Sequence, residues 1–204
     1  MGSRIAPFAA LAGFAIPMLG GNAQIPASSP SRNEAGGPIT TRSGAVVITA
    51  SDVATTIRRL SAKFTDDEPL RVLEASPNRL GAFVVGRPKK TGPQQRAQGG
   101  AVRVTEGLQL DQVSAVLRVL DGVGTFVSGG TLVSPQRMHA DDPDATVIGP
   151  GSRGKAILGG HSQRISAGDM VIVPAGVPHG FSEIDSPMTY LVIRVDSGRA
   201  LPLK

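Results

Sequence analysis

The sequence predicts an all-β fold, a small barrel or sandwich, and three observations carry that expectation. From about residue 70 to 196, short aliphatic and β-branched runs alternate with turn formers, the spacing of strands in an antiparallel barrel. The chain holds 26 Gly and 16 Pro in 204 residues, natural where turns are frequent and high for a helical fold. Hydrophobic residues make up 40% but aromatics only 3%. The core is therefore expected to be Val, Ile, Leu and Ala, side chains that suit strands.

Residues 1–23 have the features of a secretory signal: Arg4 ahead of an apolar stretch, Ile5–Leu19, then small residues at Gly21-Asn22-Ala23. The apolar stretch is broken by Pro7 and Pro17 and is short for a membrane span. A secreted or periplasmic protein with no stable span after cleavage is expected. Residues 24–45, rich in Pro, Ser and Gly, are expected to form a flexible linker. Residues 46–69 form a strand-and-helix extension. Val46–Thr49 is expected as a short strand, and Ser51-Asp52 as the N-cap of a helix whose Val53, Ile57 and Leu60 share one face.

The barrel is expected over residues 70–196. Leu70–Ala75 and Gly81–Gly86 are strands around Ser76-Pro77-Asn78, and residues 87–100 form a basic loop. Ala101–Thr105, Val113–Leu120, Thr125–Val127 and Thr131–Val133 follow, with Asp121-Gly122-Val123-Gly124 as a turn. Residues 136–154 are a second polar excursion. Lys155–Leu158, Ser162–Ile165, Met170–Val173 and Met188–Val195 complete the set, and residues 197–204 form a loose tail.

The formal net charge of +5 is spread along the chain with no aromatic interleaving and no basic helix, which argues against nucleic-acid binding. There is no cysteine, so disulfides, thiolate metal sites and a cysteine nucleophile are excluded.

The most informative stretch is Gly168–Glu183, GDMVIVPAGVPHGFSE. A Gly-Asp turn opens it, an apolar run follows, and Pro174-Ala175-Gly176 turns into a strand. With period two, Val177, His179, Phe181 and Glu183 share a face, so an imidazole, a large ring and a carboxylate are aimed together. A His179–Glu183 pair would raise the imidazole's pKa and is a candidate acid–base couple.

Gly168, Pro174, Gly176 and His179 resemble the second motif of the cupin superfamily, Gly-x5-Pro-x-Gly-x2-His-x3-Asn, with Glu183 in place of the Asn. Upstream, Leu108–Gly130 resembles the skeleton of the first cupin motif. In that register Leu108 and Leu110 stand at the two His positions and Ala115 at the Glu position. The resemblance covers roughly residues 100–195. It implies a double-stranded β-helix, or jelly-roll, barrel with a pocket between the motifs, and homodimer pairing by analogy.

Leucine and alanine donate nothing to a metal ion, and a first-row divalent ion needs three or four converging donors. No metal cofactor is therefore expected, the alternative being one divalent first-row ion on His179 with atypical help from Glu183 and Gln112. Leu108, Leu110, Ala115, Gln112 and Phe181 are expected to line an apolar pocket for a small organic ligand, with His179 as polar anchor. The rival readings are an enzyme, either a metal-assisted oxygenase or isomerase or a His179/Glu183 acid–base catalyst, and an assembly protein whose barrel has lost its chemistry.

Other candidates are weaker. His139 lies in a polar loop and His161 at a turn. Asp141-Asp142-Pro143-Asp144 lacks the spacing of a calcium loop. No serine sits in a Gly-x-Ser-x-Gly elbow. Gly149–Gly154 lacks the Lys-Ser/Thr ending of a phosphate loop and reads as a turn.

Overall fold

The computed structural model describes residues 44–60, 67–90, 98–139 and 141–204. The expected signal segment, most of the linker and the middle of the 87–100 loop lie outside the described residues.

The architecture starts from two long strands. In chain order the first two strands are β1 (Asp67–Ala75) and β2 (Asn78–Arg87), followed by β3 (Val102–Leu110) and β4 (Val113–Ser128). Then come the short β5 (Thr131–Leu132) and β6 (Gln136–Arg137), followed by β7 (Gly151–Leu158), β8 (His161–Ser166), β9 (Met170–Val173) and β10 (His179–Asp196). Strands β4 and β10, of 16 and 18 residues, pair antiparallel from His179↔Ser128 to Asp196↔Val113. Each is several times longer than an ordinary strand because it serves two sheets. The Met188–Asp196 half of β10 also pairs with β2, which carries β1, while the Ala115–Arg118 part of β4 carries β9. At the other end, Val123–Ser128 of β4 carries β8, and His179 of β10 meets Leu108 of β3, beyond which lies β7. Two sheets sharing two strands close into the jelly-roll barrel that the sequence predicts.

The strands pass from one sheet to the other where their register slips. Irregularities fall between Phe181 and Glu183, Ile184 and Ser186, and Ser186 and Tyr190. Each bulge inserts an unpaired residue and bends the strand. Opposite them lies Asp121-Gly122-Val123-Gly124. The expected turn there is instead the interior of one continuous strand, bent at the corner. Gly122 has φ 92°, and a Cβ on it would stand 2.4 Å from the Pro187 carbonyl oxygen. Only glycine allows this approach.

The barrel interior is filled by Val85, Ala115, Leu117, Val119, Phe126, Ile165, Val173, Phe181, Ile184, Met188, Tyr190 and Val192. Aliphatic residues dominate, as composition predicts, but the few rings are concentrated here. Phe126 meets Phe181 edge-on at 5.2 Å between centroids, and Phe181 meets Tyr190 at 6.1 Å. Helix α1 (Ala50–Leu60) covers the outer face of β1 and β2, where Leu60 packs with Leu70, Ala82 and Val84.

Four expectations are corrected. Val46–Thr49 forms no strand. The α1 cap is Thr49 rather than Ser51-Asp52: Asp52 Oδ2 accepts from the Thr49 N–H at 2.9 Å and Thr49 Oγ1 accepts from the Asp52 N–H at 3.1 Å. That reciprocal pair is a capping box with Asp in the acidic position. The polar excursion 136–154 holds a helix, α2 (Pro143–Ile148), with Asp142 as N-cap accepting from the Asp144 N–H at 2.9 Å and proline at its first turn. The tail is docked rather than loose: Leu201 is fully buried against Val72 and Phe83, and Lys204 exchanges two backbone hydrogen bonds with Val72. An apolar plug of this kind outweighs the polar residues around it.

Gly122→Ala is expected to lower stability by about 2 kcal/mol or more in a urea titration, through overpacking and strain at positive φ. Gly129→Ala, also at positive φ but with no atom within 4 Å of its Cβ, should cost about 1 kcal/mol.

Candidate functional site

The corner after β9 places the histidine. Val177 N–H donates to the Pro174 carbonyl at 3.2 Å, and Gly176, at φ 78°, donates its N–H to the Leu110 carbonyl at 2.6 Å. Ala175 N–H donates to Ser114 Oγ at 3.0 Å. The Pro-x-Gly turn is thus tied to the β3–β4 connection, and β10 begins at His179 with its backbone held between Leu108 and Ser128. The His179 Nδ1 lies 3.0 Å from the Val177 carbonyl oxygen. A carbonyl only accepts, so Nδ1 carries the proton and Nε2 keeps its lone pair in the neutral ring. Phe126 stands beside the imidazole at 6.0 Å between centroids.

His179 lines a cavity of about 50 Å³. Leu108, Leu110, Ala115, Phe126 and Phe181 line it, and so do Asp67, Arg87, Glu106, Tyr190 and Arg194. A wider cavity of about 300 Å³ adjoins it under α2, sharing Asp67, Arg87, Glu106 and Leu108, and adding Glu68, Asp144, Val147, Ile148 and Arg153. The barrel therefore has a narrow chamber and a charged vestibule, not a purely apolar pocket.

Two expected site residues stand elsewhere. Gln112 is exposed on the β3–β4 turn, where its carbonyl accepts from Ser197 N–H at 3.2 Å; it lies outside the cavity because the strand pairing has ended there. Glu183 is not among the cavity-lining residues. Phe181 and Ile184 both enter the barrel core, so the bulge between Phe181 and Glu183 slips the alternation by one residue and turns Glu183 away from the face of His179. His139 and His161 are exposed.

The charged residues in the chamber come from strands far apart in sequence. Asp67 at the start of β1 takes an ion pair from Arg87 Nη2 at 3.3 Å on Oδ1 and one from Arg194 Nη2 on Oδ2. Arg194 is 5% exposed, and its guanidinium carbon lies 4.2 Å from the centroid of Phe83. Its Nη1 donates to the Val147 carbonyl of α2 at 3.4 Å, and its Nε is buried with no hydrogen-bond partner. At the vestibule Arg153 binds Asp144 and Asp142 of the α2 cap and stands 3.4 Å from Glu106.

These charges set the protonation states. Burial works against ionisation of Asp67, but the guanidiniums of Arg194 and Arg87 outweigh it and hold the carboxyl below the usual carboxylate range. Burial, joined by the positive charge of Arg194, pushes the His179 imidazole below its ordinary value against the opposing hydrogen bond that Nδ1 donates to the Val177 carbonyl. The expected upward shift from Glu183 is thereby reversed. Burial also pushes the Tyr190 phenol up.

The donor set does not fit a divalent metal ion. Around His179 stand Leu108, Leu110 and Ala115; of the two carboxylates in the lining, Asp67 is shared by two guanidiniums whose charge repels a cation, and Glu106 stands 3.4 Å from Arg153. Among the described residues no three His, Asp or Glu side chains converge as ligands.

Residues 126–194 match the family described as the cupin domain, from Phe126 through the motif to Arg194. No curated protein matches the sequence. Solved structures similar to the chain include hydroquinone 1,2-dioxygenase from Sphingomonas sp. TTNP3 with 4-hydroxybenzoate bound, at 14% identity, covering 76% of this chain and 84% of that one, TM-score 0.39. A cupin 2 conserved barrel domain protein from Rhodopseudomonas palustris is similar at 13% identity, covering 66% and 72%, TM-score 0.29. The Drosophila melanogaster CENP-C cupin domain is similar at 8% identity, covering 73% and 98%, TM-score 0.33.

Two predictions follow from the charges. Asp67→Asn leaves the buried guanidinium of Arg194 and the half-buried one of Arg87 without their carboxylate and should cost about 3 kcal/mol or more in chemical denaturation. Because the folded-state pKa of His179 is depressed, the unfolded chain binds the extra proton first. Its contribution to stability is present above about pH 6.5 and is lost as pH falls through the folded value. His179→Gln should therefore flatten the acid limb of the stability–pH curve below about pH 6.5, a difference read by urea titrations across that range.

Proposed function

We propose, from the premise that residues 126–194 carry a cupin domain, that this protein binds a small organic ligand in the barrel, with His179 as a polar anchor and without a tightly held metal. The observation that supports the reading most is the pair of cavities that share Asp67, Arg87, Glu106 and Leu108. An imidazole with a free Nε2 lone pair faces a narrow chamber walled by Leu108, Leu110, Ala115, Phe126 and Phe181, and that chamber adjoins a vestibule of about 300 Å³. Ligand sites combine such apolar walls with a few convergent polar groups.

The chamber alone holds only a few waters' worth of volume, so the ligand places one small group beside His179 and its bulk in the vestibule. The acid–base alternative loses its second member, since Glu183 stands off the face of His179. His179 Nε2 remains the group able to accept a proton, or a hydrogen bond, from a bound molecule.

Ligand-observed NMR with a mixed library of small organic acids, alcohols and amines tests the reading on the full chain. Binders are expected whose signals weaken several-fold in His179→Ala and vanish in Ala115→Leu, which fills the chamber. Signals unchanged in both variants would overturn it. Elemental analysis of protein purified without chelator should find first-row metal well below one ion per chain; a stoichiometric metal would refute the metal-free part.

A further inference from the structure

We infer that the small cavity takes an uncharged hydroxyl group of its ligand, with Tyr190 as hydrogen-bond donor to it and His179 as acceptor from it. This rests on the ligand-binding reading above and names the chemical class of the ligand, a neutral alcohol.

The charges of the lining balance. Two carboxylates, Asp67 and Glu106, face two guanidiniums, Arg87 and Arg194, around a cavity of about 50 Å³. Each already has an ionic partner: Asp67 pairs with Arg87 and Arg194, and Glu106 stands 3.4 Å from Arg153. No net charge is left over to offset the desolvation of an ion entering so small a space. An uncharged group enters without that cost.

Two other polar groups of the lining are uncommitted. Tyr190 is 5% exposed and packs its ring 6.1 Å from that of Phe181, yet its hydroxyl has no hydrogen-bond partner among the described residues. Unlike Arg194 Nε, that oxygen is not enclosed by protein atoms, and the residue lines the cavity. A buried tyrosine hydroxyl ordinarily finds a partner, and a bound group in the cavity can be one. His179 Nδ1 is engaged by the Val177 carbonyl, which leaves Nε2 as the acceptor. Burial pushes the Tyr190 phenol up and the His179 imidazole down, so at neutral pH the first keeps its proton and the second has a lone pair to offer.

A donor and an acceptor in one small cavity suit a group that accepts and donates together. A hydroxyl does both through a single heavy atom, which fits the volume. A carboxylate would set its lone pairs against that of Nε2. An ammonium would meet the positive charge of Arg194, which already works on the imidazole.

Four chain-matched probes on the full-length protein separate these cases: butan-1-ol, methyl propyl ether, butylamine and butyrate, with dissociation constants from NMR titration. Butan-1-ol is expected to bind at least about tenfold tighter than butylamine or butyrate, which lose more hydration than a balanced lining returns. It should bind about fivefold tighter than the ether, which accepts from Tyr190 but has nothing to donate to His179. Tyr190→Phe, which removes only the hydroxyl, should weaken butan-1-ol and the ether about fivefold each. His179→Leu should weaken butan-1-ol by a similar factor and leave the ether unchanged; if that variant does not fold, Tyr190→Phe decides. Butylamine or butyrate binding as tightly as butan-1-ol would overturn the uncharged group. Equal affinity for the ether would overturn the hydroxyl, and full butan-1-ol affinity in Tyr190→Phe would remove Tyr190 as its donor. Library binders that Ala115→Leu abolishes, with no binding of butan-1-ol, would sink only this inference and leave the pocket standing. No binding by any of the four probes, together with no binders from the library, would sink both.

Discussion

The antiparallel ladder between β4 and β10 is the constraint on which the rest depends. It runs from Val113 to Ser128 on one side and His179 to Asp196 on the other, and all other strands except β1 and the group beyond β3 attach directly to one of the two. Because the two strands are common to both sheets, a displacement at the corner moves both walls of the barrel. The corner itself depends on close backbone approach, with Gly122 against Pro187 and Gly124 against the Glu183 carbonyl. The same ladder sets both ends of the site: His179 opens β10, and Arg194 stands near its far end.

The chamber is an unusual place to put charge. Moving Asp67, Arg87 and Arg194 out of water costs several kcal/mol per ion before any pairing is counted. The barrel offsets part of that cost by sharing one carboxylate between two guanidiniums, by seating Arg194 over Phe83, and by lending the Val147 carbonyl from α2. Burial, with a smaller contribution from Arg194, depresses the His179 pKa, and Arg194 Nε is buried with no hydrogen-bond partner. Positions 108, 110 and 115 are apolar, and the charged residues of the lining stand on β1, β2, β3 and β10.

How much of this was legible follows from distance along the chain. The Gly168–His179 motif is local: its turns, its apolar run and the placement of His179 follow from residues within a dozen positions of each other, and the structure holds each of them. The strand pattern from 70 to 196 was legible for the same reason. The helix start at Asp142-Pro143 was equally local, an N-cap followed by proline, and reading it as part of a polar loop missed that signal. Strict alternation puts Glu183 on the face of His179, but the bulge before it, which pairing with β4 creates and no residue type announces, breaks that alternation. Gln112, expected in the pocket, sits on a turn that is exposed.

The sequence by itself determined the class of fold, the corner that carries His179, and the apolar character of positions 108, 110 and 115, because each depends on short-range backbone preference and side-chain identity. Only the tertiary structure decided that Asp67, Arg87 and Arg194 share one cavity. Those residues are separated by 20 and 107 positions, and each alone reads as an ordinary surface charge at a strand end. Their meeting is a consequence of β2 and β10 pairing side by side and of β1 folding onto β2, a non-local geometry that no window of the chain contains.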